Sequence, residues 1–461
     1  MRSALKPVLL LAALLLLSCG VARADAGQAS EAASPSSVKP RPLSIQIRIL
    51  PNGLRLLLME DHSTPIFNLQ VWYHVGSKDE QPGRTGFAHL FEHLMFKGSA
   101  HVAPEEHSRI VETAGGVDNA YTNDDVTVFW ETVPSNFLDR ILWLEADRMA
   151  SLNVDQANFL SEREVVKEER RLRVENPPYG RLLEDLYALA FTVHPYHHTT
   201  IGSMEDLDRA TLSDVQDFYR LFYRPDNATL IVVGDVLPEQ FFAAAEKYFG
   251  GIPKPAQPVP RQKLVEPPQT EEKVFTKSYG ANSPLPAVVE GYKMPAAYSP
   301  DYYALNLASN ILSAGESSRL YRRLVYETQL AAQAAGVGNF TEDPNLFLAF
   351  AVMNQGKTAG DGQTAIEAVL DQMKDQPVSD HELNKAKNQV LAGSIFAREA
   401  DQQTGDNLGF AAVIGKDPEL MNRDTDLYLR VTPDDIERVA RDYFVRAHCT
   451  VLIITPPAPG R

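Results

Sequence analysis

The sequence predicts an α+β fold: two homologous domains of about 220 residues, each a mainly antiparallel sheet packed with helices, joined by a Pro-rich linker. Three observations carry this. The stretch TLSDVQDFYRLFYRPDNATLIVVG from Thr211 aligns without gaps to TPDDIERVARDYFVRAHCTVLIIT from Thr432, with Thr211/Thr432, Asp214/Asp435, Arg220/Arg441 and Thr229/Thr450 identical. The segment IPKPAQPVPRQKLVEPPQ places six prolines between Pro253 and Pro268, an extended, semi-rigid composition. Strand-like and helical apolar periods alternate from Ile45 to Gly250.

Taken in order, residues 1–24 read as a signal peptide: Arg2 and Lys6, the apolar run VLLLAALLLLS, and an A-x-A site at Ala22-Arg23-Ala24. The protein is accordingly expected in the periplasm or otherwise exported. Leu16-Leu17-Ser18-Cys19 offers the alternative of a lipoprotein anchor at Cys19, with Leu17 a poor fit. Residues 25–44 form a polar tether. ILPNGLRLLLME reads as a hairpin turning at Pro51-Asn52-Gly53, and IFNLQVWYHVGS as the next strand. The domains span 45–250 and 272–457, with the linker at 251–271. Ser379-x-x-Glu382 is a capping box opening a helix in the second domain.

Charge narrows the partners. Cleavage after Ala24 removes Arg2, Lys6 and Arg23 and no acid, taking the formal charge from -16 to -19. So acidic a chain is repelled by phosphate backbones, which excludes nucleic acid as a partner and leaves basic peptides favoured. Cys449, the one cysteine remaining after cleavage, lies in the apolar run CTVLIIT and reads as a buried strand residue. No transmembrane segment is expected in the mature chain.

The chemistry concentrates in GFAHLFEHLMFKGSA, Gly86–Ala100. His89 and His93 are four apart, so on a helix both imidazoles converge on one ion. Glu92 stands beside them to take a proton from water, the groups of H-E-x-x-H in inverted order. Chance would supply H-x-x-E-H about 0.03 times in a chain of this composition. Two histidines do not complete a zinc site, which at catalytic centres takes three protein ligands. The charged helix FLSEREVVKEERRLRVEN, from Phe159, offers acids, though alone it also reads as a solvated face.

GFAHLFEHLMFKGS, then GGVDNAYTNDDVTVFW, then EREVVKEE resemble, in that order, the pitrilysin/insulinase family of inverted-motif zinc metallopeptidases. The resemblance covers Ile45 to Gly250 and extends more weakly over the second half. It implies one Zn2+ per chain, held by His89, His93 and Glu169, the last from matching Glu162, Arg163, Val166 and Glu169 to the family's E-R-x-x-V-x-x-E pattern. Glu168 is the lesser candidate, rotated about 100° around the helix. Glu162 takes the family's outer carboxylate position, able to orient the site. Asn119 and Ala120 match its substrate-lining strand, to which an extended peptide adds. His194, His197 and His198 of HPYHHTT match a family segment without a zinc role.

One departure is informative. The family's second half supplies an arginine and, seven residues on, a tyrosine that contact substrate. Matching SSRLYRRLVYETQLAAQAAG to that segment puts Val325 and Ala332 at those positions. Arg319, Arg322, Arg323, Tyr321 and Tyr326 lie nearby without reproducing the spacing. The resemblance therefore implies a zinc metalloendopeptidase of short or unfolded peptides, as the zinc-bearing subunit of a heterodimer with a homologue that lacks H-x-x-E-H and carries the Arg/Tyr pair, or as a homodimer. The alternatives are a non-catalytic scaffold or binding subunit with a structural metal, and a zinc hydrolase of non-peptide amides.

Overall fold

A computed structural model describes residues 40–457. The signal peptide expected over 1–24, the Cys19 alternative and most of the tether lie outside the described residues. Among those described, no helix is long and apolar enough to cross a membrane.

The strands are β1 (Gln46–Ile49), β2 (Arg55–Glu60), β3 (Ile66–Tyr73), β4 (Val117–Thr122), β5 (Thr127–Pro134), β6 (Ala228–Gly234), β7 (Lys273–Lys277), β8 (Ala287–Met294), β9 (Ala331–Gly338), β10 (Asn345–Met353) and β11 (Cys449–Ile454). They form two sheets, ordered β1-β2-β6-β3-β5-β4 and β7-β11-β8-β10-β9. β2 and β7, β6 and β11, β3 and β8, β5 and β10, and β4 and β9 correspond, so β1 is an extra edge on one pattern. Each sheet is antiparallel except for one parallel pair, β2/β6 in the first and β7/β11 in the second. Between the sheets, residues 253–268 contain neither helix nor strand.

The first half adds helices α1 (Phe87–Leu94), α2 (Glu106–Thr113), α3 (Leu138–Ser151), α4 (Gln156–Arg170), α5 (Leu182–Ala190), α6 (Met204–Arg209), α7 (Leu212–Phe222) and α8 (Pro238–Phe249). The second adds α9 (Tyr302–Ser313), α10 (Ala359–Asp375), α11 (Asp380–Ala397), α12 (Asp401–Gly409), α13 (Leu420–Arg430) and α14 (Pro433–Tyr443). Local chemistry starts them alike. Thr211 with Asp214 and Thr432 with Asp435 close capping boxes on α7 and α14, and Ser379 with Glu382 does so on α11.

Central strands are mostly apolar on both faces because both faces are covered. In the first sheet Leu56, Leu58, Val71, Leu230 and Val232 pack under the half's own helices, while Leu57, Met59, Trp72, Ile231 and Val233 face the other way. That second face is closed by Leu408 to Met421 of the other half. The exchange is reciprocal: Leu182, Leu186, Tyr187 and Phe191, in and just after α5, cover Val289, Leu346, Leu348 and Leu452 of the second sheet. α12, the polar sequence DQQTGDNLG, lies so close that a Cβ at Gly409 would collide with the Trp72 ring. Each half thus completes the core of the other.

A buried ionic knot adds to this joint. Lys78 lies 2.8 Å from Asp125, 2.7 Å from Glu342 and 3.1 Å from Asp343, the last two on a second-half loop. His74 reaches Glu342 at 2.6 Å, Tyr196 donates to Asp125 at 2.6 Å, and the Glu342 amide donates to Asp125 at 2.8 Å. The end of the tether is also held. The Leu43 amide donates to Asn422, whose side-chain amide donates back to the Leu43 carbonyl. Cys449 is buried in β11.

Candidate metal centre

α1 is fixed at its N-terminus and along its apolar face. Its N-cap, Gly86, is left-handed at φ 94°, a conformation glycine adopts without strain. Buried Glu80 accepts from the Gly86 and Ala88 amides at 2.8 Å each, satisfying two amides that a helix start leaves open. The apolar face, Phe87, Leu90, Phe91 and Leu94, is buried, and Phe91 stacks on Phe218 and Tyr219. That packing turns His89 and His93 toward α4. α4 starts at Asp155, which accepts from the Asn158 amide, and buries Phe159, Glu162, Val166 and Arg170.

Three ligand atoms meet between these helices. His89 Nε2 and His93 Nε2 are 3.1 Å apart, and Glu169 Oε2 is 3.4 Å from the first and 3.2 Å from the second. Atoms about 2.0–2.1 Å from a tetrahedral zinc stand about 3.3 Å from one another, so this triangle has the edges of one zinc face. The donor set, two imidazoles and a carboxylate, is that of catalytic zinc sites with a fourth position for water. The residues present therefore fit the ion.

The far atoms of the ligands are held as well. His93 Nδ1 lies 3.5 Å from Glu162, and Glu162 lies 3.0 Å from Lys97. Glu169 turns its other oxygen to Arg173, one helical turn on, where α4 passes into a π-helical turn over Arg171–Glu175. Charge follows geometry. Burial opposes protonation of His93, yet the Glu162 and Glu169 carboxylates push it up to about 9. Burial pushes His89 down. Glu92, buried between them in sequence, acts electrostatically on both imidazoles.

Of the two acids open at this point of α4, Glu169 joins the triangle. Glu168 is exposed and pairs with Arg171 at 2.8 Å. Asn119 and Ala120 lie on β4, the edge strand, with Ala120 buried in the core under α1. Among the described residues, the HPYHHTT histidines join no metal-type cluster. His194 accepts from the Tyr196 amide, and His198 stands 3.7 Å from Glu80. In the second half Val325 packs against the core and Ala332 is exposed on edge strand β9. Arg319 pairs with Glu382, and Arg322 and Arg323 with Glu327.

Sequence reasoning missed Glu80, Arg173 and a second group of ligand-type residues, His107, Glu131 and Glu145. The spacing of those three carries no recognisable pattern. They are not equivalent to the first group, because Arg148 fills the cation's place. Its guanidinium donates to Glu145 at 2.8 Å and Glu131 at 3.3 Å and lies over the Phe129 ring. Burial pushes Glu145 up to about 8.

Comparison with known proteins identifies the family. The sequence profile described as "Insulinase (Peptidase family M16)" matches residues 55–203, and "Peptidase M16 inactive domain" matches residues 209–390. The chain is 34% identical over 412 residues to "Zinc protease PqqE" of Helicobacter pylori, covering 88% of this chain and 92% of that one. It is 24% identical to the mitochondrial-processing peptidase subunit beta of Saccharomyces cerevisiae, over 84% of this chain and 86% of that one. A solved protease from Helicobacter pylori superposes with a TM-score of 0.86 at 33% identity, over 90% of this chain and all of that one. The periplasmic protease PqqL of Escherichia coli shares the fold, with a TM-score of 0.73 at 18% identity over 92% of this chain and 48% of that one. With three ordered motifs, a zinc-shaped triangle and these relatives in agreement, the chain belongs to the M16, or insulinase, family of peptidases.

Proposed function

We propose that this protein is an exported zinc metalloendopeptidase acting on short or unfolded peptides. The observation that carries the reading is the triangle of His89, His93 and Glu169 with Glu92 beside it on α1. One zinc per chain, held there, would act as a Lewis acid that lowers the pKa of a water in its fourth position. Glu92 would take a proton from an attacking water as it adds to the scissile carbonyl and would return it to the leaving nitrogen. Glu162 keeps the His93 ring aligned. An extended peptide adds to the free edge of β4 through main-chain hydrogen bonds, with Asn119 and Ala120 at its path.

The second half bears on assembly. Val325 and Ala332 stand where the family's substrate-contacting Arg and Tyr are expected, and the three nearby arginines are engaged in ion pairs. Escherichia coli PqqL is a chain of which this one spans 48%. We therefore read the protein as the zinc-bearing subunit of a heterodimer with a homologue that lacks the histidine motif and carries the Arg/Tyr pair. The signal-peptide pattern read over residues 1–24 and the description of PqqL as a periplasmic protease support export.

A panel of quenched peptides, with and without chelator and with and without a co-expressed homologous subunit, tests this. Cleavage that chelator removes and the partner raises is expected. Chelator-insensitive cleavage would remove the zinc reading, and equal activity of the isolated chain would remove the heterodimer.

A further inference from the structure

α11 stands in the second half where α4 stands in the first. Counted from their N-caps, Ser379 and Asp155, the apolar register is kept, with Leu383 for Phe159 and Val390 for Val166. The polar positions are not kept. Ala386 takes the place of Glu162, Gly393 that of Glu169, and Ala397 that of Arg173. α9, packed on α11, reads YYALNLASNILS and brings neither imidazole nor carboxylate.

Ala386 is buried in the core, but Gly393 and Ala397 border open space. A cavity of about 740 Å³ lies along the C-terminal half of α11, lined by Tyr298, Tyr302, Phe410 and Tyr428 with one carboxylate, Asp424. Its size is that of a ligand pocket. Gly393 and Phe396, both exposed, border it, and a Cβ at Gly393 would meet nothing within 4 Å. Tyr303 donates to one Asp424 oxygen at 2.6 Å, which fixes the carboxylate. Arg398 also lines the cavity, but its guanidinium donates to the Arg41 carbonyl at 2.7 Å, toward the N-terminal segment.

We propose that this cavity, bordered by Gly393 at the position matching Glu169, binds a lysine or arginine side chain of a peptide, with Asp424 pairing the cation among the aromatic rings. Aromatic faces attract cations, and a partly desolvated carboxylate adds a directional partner. The net charge of -16 draws the same class of ligand. The inference deepens the peptidase reading and rests on it for the peptide being a substrate. A bound basic residue would be held on the second half while another part of the chain lies at β4.

Calorimetric titration of the full zinc-loaded chain carrying Glu92→Gln with acetyl-Ala-Lys-Ala amide and its norleucine counterpart tests it without turnover. Binding of the lysine peptide about tenfold tighter is expected. Asp424→Asn and Gly393→Phe, the latter growing into open space, should each abolish that preference. In the chain with Glu92 intact, both should leave zinc content and cleavage of a neutral quenched peptide unchanged. Equal binding of the two peptides, or a preference that survives both substitutions, would overturn the proposal. So would a preference seen only in a chain begun at Pro40, which would give the cavity to the protein's own N-terminal segment. Failure of the peptidase reading is separate, showing as chelator-insensitive cleavage.

Discussion

The two halves place an equivalent pair of helices over equivalent sheets and do opposite things with them. Between α1 and α4, two imidazoles and a carboxylate close to 3.1–3.4 Å of one another. Along α11, beside α9, the matching α4 positions hold Ala386, buried in the core, and Gly393, where a cavity opens. The apolar residues that seat the helices are kept in both, Phe159 with Leu383 and Val166 with Val390. The fold therefore depends on the apolar register, and chemistry depends on a few polar positions that the register leaves free.

The sharpest way to break this contrast is at Glu92. Glu92→Gln removes the proposed base but none of the proposed ligands, so peptide cleavage should fall by about 10²–10⁴ while zinc stays bound. Glu169→Ala should make the first half resemble the second. Zinc content measured on the purified protein should fall well below one per chain, and full occupancy would move the ligand to Glu168. Next is the joint between the halves. Lys78→Met leaves buried Asp125 without its cation, while half-buried Glu342 keeps His74 and Lys416, and denaturant unfolding should show a loss of about 3–5 kcal/mol. Smallest is Glu162→Gln, which keeps all three ligands yet frees the His93 ring. Zinc affinity by competition with a chelator should weaken by about 10–100-fold.

Acid tests the same joint. Burial opposes it, but hydrogen bonds and charge from His74 and Lys78 hold the Glu342 carboxyl well below the usual range. A carboxyl depressed in the folded state stabilises above its unfolded pKa, about 4.5, and that stability is lost as pH falls through the lower folded value. Unfolding free energy should therefore climb as pH rises through this window, and climb less in Lys78→Met.

How much was legible varied with distance along the chain. His89, Glu92 and His93 were plain, because a helical turn brings them together and the sequence prints the turn. The paired halves were legible where capping boxes and a terminal strand repeat, at Thr211 and Thr432. Glu169 was reached only through the family pattern, since Glu168 and Glu169 are adjacent acids and only packing decides which one turns inward. The Lys78–Glu342 contact spans 264 residues, and no local period announces such a pair. α12 was hidden for another reason. DQQTGDNLG has the polarity of a surface turn, yet Gly405 and Gly409 let its backbone lie against Gln70 and Trp72 of the other sheet.

The central claim is that the triangle on α1 and α4 binds zinc and that Glu92 is the base acting on water there. Purified Glu92→Gln protein, assayed in parallel for zinc by mass spectrometry and for cleavage of a quenched peptide with the partner subunit present, tests both parts at once. One zinc per chain with cleavage lost is the expected result. Cleavage at the rate of the unsubstituted chain would contradict it.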